Sequence, residues 1–230
     1  MKSKVYIIFL CFFTHFSFSQ SGEIYYKKKL ISSENSTNQI VLQAIKQLNE
    51  LEFKLIFDPR FAHYRKINIM TVENTNPVVQ SFANSFSGFR GEAYFERDKS
   101  IVILKKEVSD KTFLVIKNKV NWKLSKDTLK IGNYLCYKAT TIKTIKNSDG
   151  VHKLNVIAWY TPEIPLPYGP DGYGGLPGVI LQLEDNGTVT FVDNIKFSSD
   201  SKITLPLEGE KISEDEYEKL ILNKFEKRKG

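Results

Sequence analysis

Cysteine and histidine are scarce in this chain of 230 residues, and their scarcity argues against several classes of protein. The sequence holds two cysteines and three histidines. Zinc sites draw most of their ligands from these two residue types, and His63 and His152 stand far apart without a local partner. No HExxH, CxxC, Walker or nucleophile-elbow pattern occurs. The sequence therefore predicts no metal site, no cofactor and no catalytic residues of a recognisable kind.

Apolar runs long enough to span a membrane are also lacking. A membrane-spanning helix needs about twenty apolar residues in succession. The apolar stretch Val5–Phe13 follows two lysines and precedes small polar residues, which is the pattern of a secretory signal peptide. We therefore expect residues 1–20 to be cleaved near Gln20, and the rest to be exported to the periplasm or the outer membrane. Cys11 lies inside the apolar run, so it does not fit a lipid-attachment cysteine.

The charge of the chain and the cysteine outside the expected signal peptide limit the partners and the disulfide bonds that the sequence predicts. The net charge of the whole chain is +7, and two of its lysines lie in the expected signal peptide. The remaining charge is mild and spread out, so the sequence predicts no nucleic-acid partner, and Lys27–Lys29 is interpreted as a solvated strand end. Cleavage leaves Cys136 alone, which excludes an intrachain disulfide, and its strand-like surroundings favour burial.

Strand-like segments dominate the rest of the sequence. Gly22–Leu30 is rich in β-forming residues, and short strands separated by turn residues follow from Gly91 onward. Among these turns, Asp185-Asn186-Gly187 is a strong hairpin signal. Strands that follow one another without helices between them indicate antiparallel pairing.

Two helices complete the expected fold. Apolar residues at helical spacing predict one helix over Asn38–Glu50, and a capping-box pattern predicts another over Glu214–Arg228. Residues 65–90 are weakly patterned, and the stretches NTNP (74–77) and SFSGFRG (85–91) are predicted as loops. The expected class is α+β: a mostly antiparallel, curved, half-barrel-like sheet packed on the N-terminal helix. We expect one β-rich domain over residues 21–209 and a C-terminal helical appendage over 210–230, docked on the sheet or loosely attached.

The least ordinary stretch is the Pro/Gly loop, residues 161–178, which precedes the strand beginning at Val179. Its three alternating prolines favour an extended segment, and its glycines favour two successive turns. Its length exceeds the about 12–15 residues common for structureless loops. Two interpretations stay open: a corner that fills the core with Tyr173 and Leu176, or a surface that binds a partner. The candidate binding residues are Trp159, Tyr160, Glu163, Tyr168, Asp171, Tyr173 and Leu176.

The stretch Ala158–Glu184 resembles the signature of the GLPGLI family of exported Bacteroidetes proteins. The naming motif is Gly175-Leu176-Pro177-Gly178-Val179-Ile180, with valine in place of leucine. This resemblance extends from about Lys111 to Phe197. It implies export, a β-rich envelope domain and no established activity, and it supplies no catalytic residues. It also makes an accessory role beside an outer-membrane receptor plausible.

Three functions are therefore compared. The leading hypothesis is a non-enzymatic envelope protein that binds another envelope protein, such as an outer-membrane receptor, through the Pro/Gly loop and the neighbouring sheet edge. The second is a carrier of a hydrophobic ligand between the sheet and the Asn38–Glu50 helix. The third is a hydrolase that uses Glu163 with Asp171 or another acid. The identity of the partner and the oligomeric state do not follow from the sequence.

Overall fold

The computed structural model describes residues 21–31, 36–67, 76–147, 150–198 and 203–226. The strands are β1 (Gly22–Leu30), β2 (Glu52–Phe57), β3 (Phe61–Ile67), β4 (Glu92–Glu96), β5 (Ile101–Val108), β6 (Lys111–Ile116), β7 (Lys123–Ile131), β8 (Tyr134–Asn147), β9 (Gly150–Thr161), β10 (Val179–Asp185), β11 (Thr188–Phe197) and β12 (Glu210–Ser213). The helices are α1 (Gln39–Glu50), α2 (Pro77–Phe86) and α3 (Glu214–Glu226), with a single 3-10 turn at Pro170–Gly172. The expected signal peptide lies outside the described residues.

A single sheet contains all twelve described strands, in the order β12-β6-β5-β4-β3-β2-β1-β11-β10-β9-β8-β7. Its neighbouring pairs are antiparallel except for β12 and β6, which are parallel. The sheet is open and curved, so β12 and β7 form its two edges. The predicted α+β class with a mostly antiparallel curved sheet is confirmed.

Alternation along the central strands decides which face of the sheet is buried. On β1, Ile24, Tyr26 and Lys28 point to one face and are almost completely buried. We call this the inner face. Ile24 lies opposite Leu55 of β2, and Tyr26 lies opposite Phe53. Side chains opposite each other in an antiparallel pair share a face, so the inner face continues from strand to strand.

Helix α1 begins where the sequence predicts. The side chain of Asn38 accepts from the backbone N–H groups of Ile40 and Val41, which caps the first turn. Ala44 and Leu48 form its buried stripe. The predicted helix over Asn38–Glu50 is confirmed.

Helix α2 lies in the weakly patterned region and corrects the prediction of loops at NTNP and SFSGFRG where it overlaps them, at Pro77 and at residues 85–86. Asn76 caps its first turn by accepting from the N–H of Val78, and Pro77 occupies the first helical turn. Asparagine followed by proline also signals a turn, and the same pair suits a helix start, since proline lacks an N–H and its φ is already helical. Val79 and Ala83 then pack against Ala44 of α1.

The C-terminal segment is continuous with the sheet. Strand β12 pairs with β6, and α3 follows it directly. The Ser213 hydroxyl donates to Glu216, whose backbone N–H is bonded to Ser213 in return, as in a capping box. Tyr217 of α3 packs edge-to-face against Phe113 of β6. No helix in these described ranges combines the length and apolar character required to cross a membrane.

Candidate functional site

The Pro/Gly loop crosses the inner face of the sheet. It leaves β9 and returns to β10, yet its 3-10 turn contacts β3, β4 and β5 on the other side of β1. Only a curved sheet can bring strands that are so far apart in the strand order to one short turn. The loop is therefore an internal part of the fold rather than a connection outside it.

Burial along the loop separates its side chains into two sets. Tyr168 is 1% exposed, Tyr173 5% and Leu176 3%, and Ile164 and Leu166 are buried with them. The residues that reach the surface are Pro162, Glu163, Pro165, Gly175 and Pro177. Ile164, Leu166 and Tyr168 face the core because the alternating prolines hold this part of the loop extended and turn every second side chain inward. This arrangement is contrary to the interpretation in which the loop presents its tyrosines to a partner.

Asp171 is the centre of a buried polar group, which we call the Asp171 cluster: Lys28, Tyr64, Asp171 and Thr190. The Lys28 Nζ atom lies 2.7 Å from both carboxylate oxygens. The Tyr64 hydroxyl donates to Oδ1 at 2.9 Å, and the Thr190 hydroxyl donates to Oδ2 at 3.1 Å. Each carboxylate oxygen thus accepts two hydrogen bonds, which leaves Asp171 little capacity to bind a substrate.

Lys28 has no exposed side-chain surface, and the side chain of Asp171 is 13% exposed. The third donor of Lys28 goes to the backbone oxygen of Ser87, and its Nζ atom lies 4.6 Å from the centre of the Phe53 ring. All three ammonium hydrogens therefore have acceptors, as a buried lysine requires. The cluster ties the loop to β1, β3, β11 and the turn after α2.

Burial governs the ionisation of the residues in this region. It lowers the pKa of Lys28, against the opposing effect of Asp171. It raises the pKa of Tyr64 well above the usual range, and the Asp171 carboxylate acts in the same direction. Burial likewise raises the pKa of Tyr26, whose hydroxyl donates to the backbone oxygen of Ile180. Both phenols are therefore neutral donors at physiological pH.

Two glycines allow the loop to fit against the sheet. Asp171 and Gly172 adopt φ values of 56° and 76°, in the left-handed region. A Cβ atom on Gly172 would lie 2.7 Å from Leu104 Cδ2. A Cβ atom on Gly178 would lie 2.0 Å from the backbone oxygen of Thr161, which is closer than any side chain permits. The last glycine of the GLPG motif is therefore required by the close approach of two backbones.

Two more lysines lie near the cluster on the inner face. Lys117 donates to the backbone oxygen of Gly172 and lies 3.8 Å from the centre of the Tyr173 ring. Lys106 lies 5.2 Å from the ring centre of Phe89. Burial lowers the pKa of each lysine to about 8, and the Asp171 carboxylate opposes that effect in both. These two lysines were not singled out from the sequence, because nothing local distinguishes them from solvated ones.

The other predicted site residues do not converge on Asp171. Trp159 is half-buried and Tyr160 is buried, and they lie opposite Lys138 and Tyr137 of β8. Glu163 turns to the surface, where Oε1 accepts from the backbone N–H of Leu135 at the start of β8. No contact within the described ranges joins Glu163 to Asp171. The two acids of the hydrolase hypothesis are engaged by different partners, Glu163 by the N–H of Leu135 and Asp171 by Lys28.

The loop also supports the edge of the sheet at β7. The Trp122 indole, just before β7, donates to the backbone oxygen of Gly174 at 2.9 Å. Strand β7 pairs with β8 on one side only, and its pairing shifts register between Leu124 and Thr128. The other candidate edge, β12, is only four residues long. The β7 edge is thus the longer of the two and is braced by the loop.

The described residues offer little to a hydrophobic ligand or a metal. A cleft of about 480 Å³ lies beside α2, between that helix and the end of β3, and its lining is mainly polar. Within the described parts of the chain, no three histidine, cysteine or carboxylate side chains converge to hold a metal ion. Cys136 is buried, and burial raises the pKa of its thiol to about 11.

These features define an α+β fold with an open, curved sheet whose inner face is covered by one of its own loops. Residues 147–182, which include the whole of that loop, match a family described as a protein of unknown function, Porph_ging. Two crystal forms of PNGF-II share the fold, and this chain covers 33% of the length of each. The C2 form aligns with 88% of this chain at a TM-score of 0.53 and 18% identity. The P21 form aligns with the same share at a TM-score of 0.56 and 17% identity. Identities this low show a common fold alone, and no curated protein matches the chain.

Proposed function

We propose that this chain is an exported protein of the cell envelope that binds an extended, acidic segment of another envelope protein along the β7 edge. The signal-peptide pattern of residues 1–20 supports export to the periplasm or the outer membrane. The Pro/Gly loop acts as the internal support of that edge rather than as the contact surface. One observation carries the proposal. Strand β7 is an edge strand that pairs with β8 on one side and with no described strand on the other, and it is exposed on both faces and rich in lysine.

The backbone of β7 provides the means of attachment. Its outer side pairs with no other described strand, so its N–H and C=O groups on that side are available to an incoming strand. Leu124 is 54% exposed and Leu129 38%, which gives an added strand apolar side chains to pack against. Strand addition of this kind obtains affinity from main-chain hydrogen bonds and specificity from the side chains.

The charges on β7 determine which strands can pair with it. Lys123, Lys126 and Lys130 are exposed, and Asp127 is the strand's one acid. A second copy of β7 would place lysines beside lysines, so these charges oppose self-association. An acidic segment would instead face complementary charge, which steers encounter and fixes the partner.

A crosslinking experiment in the native envelope tests this proposal. A photo-reactive residue at Leu124 is compared with one at Phe82, which is 42% exposed on α2. We expect Leu124 alone to crosslink a partner, and the crosslinked peptide to be acidic and non-helical. The triple change Lys123→Glu, Lys126→Glu and Lys130→Glu removes that crosslink.

The matched control has the same change of net charge elsewhere. Lys46, Lys111 and Lys219 are exposed lysines on other elements, and their replacement by glutamate leaves the crosslink in place. Equal crosslinking from Leu124 and Phe82 would contradict a contact at the β7 edge. Unchanged crosslinking after reversal of the β7 charges would also contradict the proposal.

A further inference from the structure

The cleft beside α2 has the composition of a site for a small acidic ligand. It is lined by Lys66 at the end of β3, by Gln80, Ser81 and Asn84 on α2, and by Phe89 and Arg90 in the following turn. No carboxylate is present among its described lining residues. Its volume of about 480 Å³ falls within the range of pockets that hold small molecules, roughly 300–1,000 Å³.

Among the described residues, no carboxylate neutralises the two cations of this cleft. Lys66 donates to the amide oxygen of Asn84 at 3.0 Å, and Arg90 donates to the hydroxyl of Ser85 at 3.0 Å. Neither forms an ion pair with a described carboxylate. Lys106 adds to the positive potential, because its Cδ atom lies 3.6 Å from the position of a Cβ on Gly91, next to Arg90. An anion entering the cleft would therefore supply the charge that the surrounding residues lack.

The turn that carries Arg90 is held in place before any ligand binds. The Ser87 hydroxyl lies within hydrogen-bond distance of the backbone oxygens of Asn84 and Phe89 and donates its one hydrogen between them, and the backbone oxygen of Ser87 accepts from Lys28 of the Asp171 cluster. Gly91 adopts a φ of 92°, and a Cβ atom there would lie 2.1 Å from the backbone oxygen of Lys105. A fixed turn lowers the entropic cost of binding, because less of the site must be ordered by the ligand.

We propose that the α2 cleft binds a monosaccharide-sized acidic polyol, a hydroxyl-bearing molecule with one carboxylate, phosphate or sulfate group. The planar guanidinium of Arg90 matches such an anion in two-point contact, and Lys66 supplies a second positive charge. Gln80, Ser81 and Asn84 offer both donors and acceptors to the hydroxyl groups. Lys66 is half-buried, and this partial burial lowers the pKa of its ammonium group.

Titration of the full chain with three sugars at low ionic strength tests the inference. Glucuronate supplies a carboxylate, glucose 6-phosphate supplies a phosphate, and glucose supplies neither. Binding is followed by the amide signals of Asn84, Arg90 and Gly91 in two-dimensional NMR spectra. We expect one or both acidic sugars to shift these signals, and glucose to leave them unmoved. The acidic sugar that binds more tightly identifies the anion that the cleft prefers.

Variants decide whether the cleft residues carry the binding. Arg90→Ala should weaken the acidic sugar about tenfold or more, since a hydrogen bond to a charged group contributes about 1.5–3 kcal/mol. Lys66→Ala should weaken it in the same direction. Arg60→Ala is the matched control, because Arg60 is an exposed arginine before the opposite end of β3. The dispersion of each NMR spectrum reports whether the variant is folded.

Three results would overturn the inference. The first is an absence of shifts with both acidic sugars at millimolar concentration. The second is unchanged affinity in folded Arg90→Ala and Lys66→Ala variants. The third is binding of glucose, or of inorganic sulfate alone, as tight as that of the acidic sugars, because the site would then not recognise an acidic polyol.

Discussion

Replacement of Asp171 by asparagine tests the role assigned to the buried ion pair. Asparagine keeps the shape of the side chain and tolerates the left-handed backbone at this position, where φ is 56°. Its single amide oxygen still accepts from one of the Tyr64 and Thr190 hydroxyls, and its NH2 group can donate to the other hydroxyl, which rotates to accept. The change therefore removes mainly the negative charge opposite Lys28, whose side chain has no exposed surface. Removal of one partner from a buried pair costs about 3–5 kcal/mol, because the remaining charge is uncompensated.

That loss is a large share of the free energy of unfolding of a typical domain, which is about 5–15 kcal/mol. Guanidinium chloride denaturation, followed by the fluorescence of Trp122 and Trp159, measures it. Glu163→Gln neutralises an exposed carboxylate of the same loop and should change the free energy by less than about 0.5 kcal/mol. The double variant Lys28→Met with Asp171→Asn should recover part of the loss, because it buries no unpaired charge.

A loss below about 1 kcal/mol for Asp171→Asn would refute this reasoning. A double variant that is less stable than Asp171→Asn would refute it as well. In that case the energy would come from the packing of Lys28 and not from its charge.

Two further predictions follow from the loop and its neighbours. Gly178→Ala should lower the free energy of unfolding by about 3 kcal/mol or more in a denaturation experiment, since its Cβ would lie 2.0 Å from the Thr161 oxygen. Gly175→Ala, whose Cβ meets open space at a φ of 84°, should lower it by about 1 kcal/mol. Equal costs for the two glycines would contradict the close approach. Lys106 and Lys117 have pKa values lowered to about 8 in the folded chain. Above that pH the unfolded chain therefore binds more protons than the folded chain. The contribution of these lysines to stability increases as the pH rises from about 8 towards 10.4. Replacement of both lysines by methionine should flatten this rise in the denaturation midpoint at constant ionic strength, and an unchanged slope would show that their pKa values are ordinary.

The sequence predicted correctly the elements whose ends are determined by neighbouring residues. The hairpin between β10 and β11 forms at Asn186-Gly187, where both residues have positive φ values of 49° and 78°. Helix α1 begins at its asparagine cap. Helix α2 was missed because its cap and its first residue, Asn76-Pro77, are also the residues of a turn. Such ambiguity is settled only by packing, here the contact of Val79 and Ala83 with α1.

The Asp171 cluster could not be assembled from the sequence, because Lys28 and Asp171 are 143 residues apart. The turn around Asp171 explains the residue type locally, and that explanation concealed its second role. One signal was present: Lys28 continues the alternation of Ile24 and Tyr26. A lysine on the apolar face of a strand must find buried acceptors, so this position predicts a partner without identifying it.

Burial of the loop moves the functional hypothesis from the loop to the surfaces that it supports. A segment that is rich in glycine, proline and tyrosine is compatible both with a binding loop and with a packed corner. The pattern of burial distinguishes the two, because Tyr168 and Tyr173 lie inside, whereas Pro162, Pro165 and Pro177 lie outside. The loop then contributes to binding indirectly, by bracing β7 through Trp122 and β8 through Glu163.

Hydrogen exchange of the loop amides tests the central claim, that residues 161–178 belong to the core. The N–H of Gly175 donates to the oxygen of Pro167, and the N–H of Tyr173 donates to the oxygen of Pro170. If the loop is part of the core, both amides exchange only when the whole domain opens, at the rate of the slow amides of β10. Exchange of Gly175 within seconds under native conditions, while β10 stays protected, would show that the loop opens independently and would contradict the account.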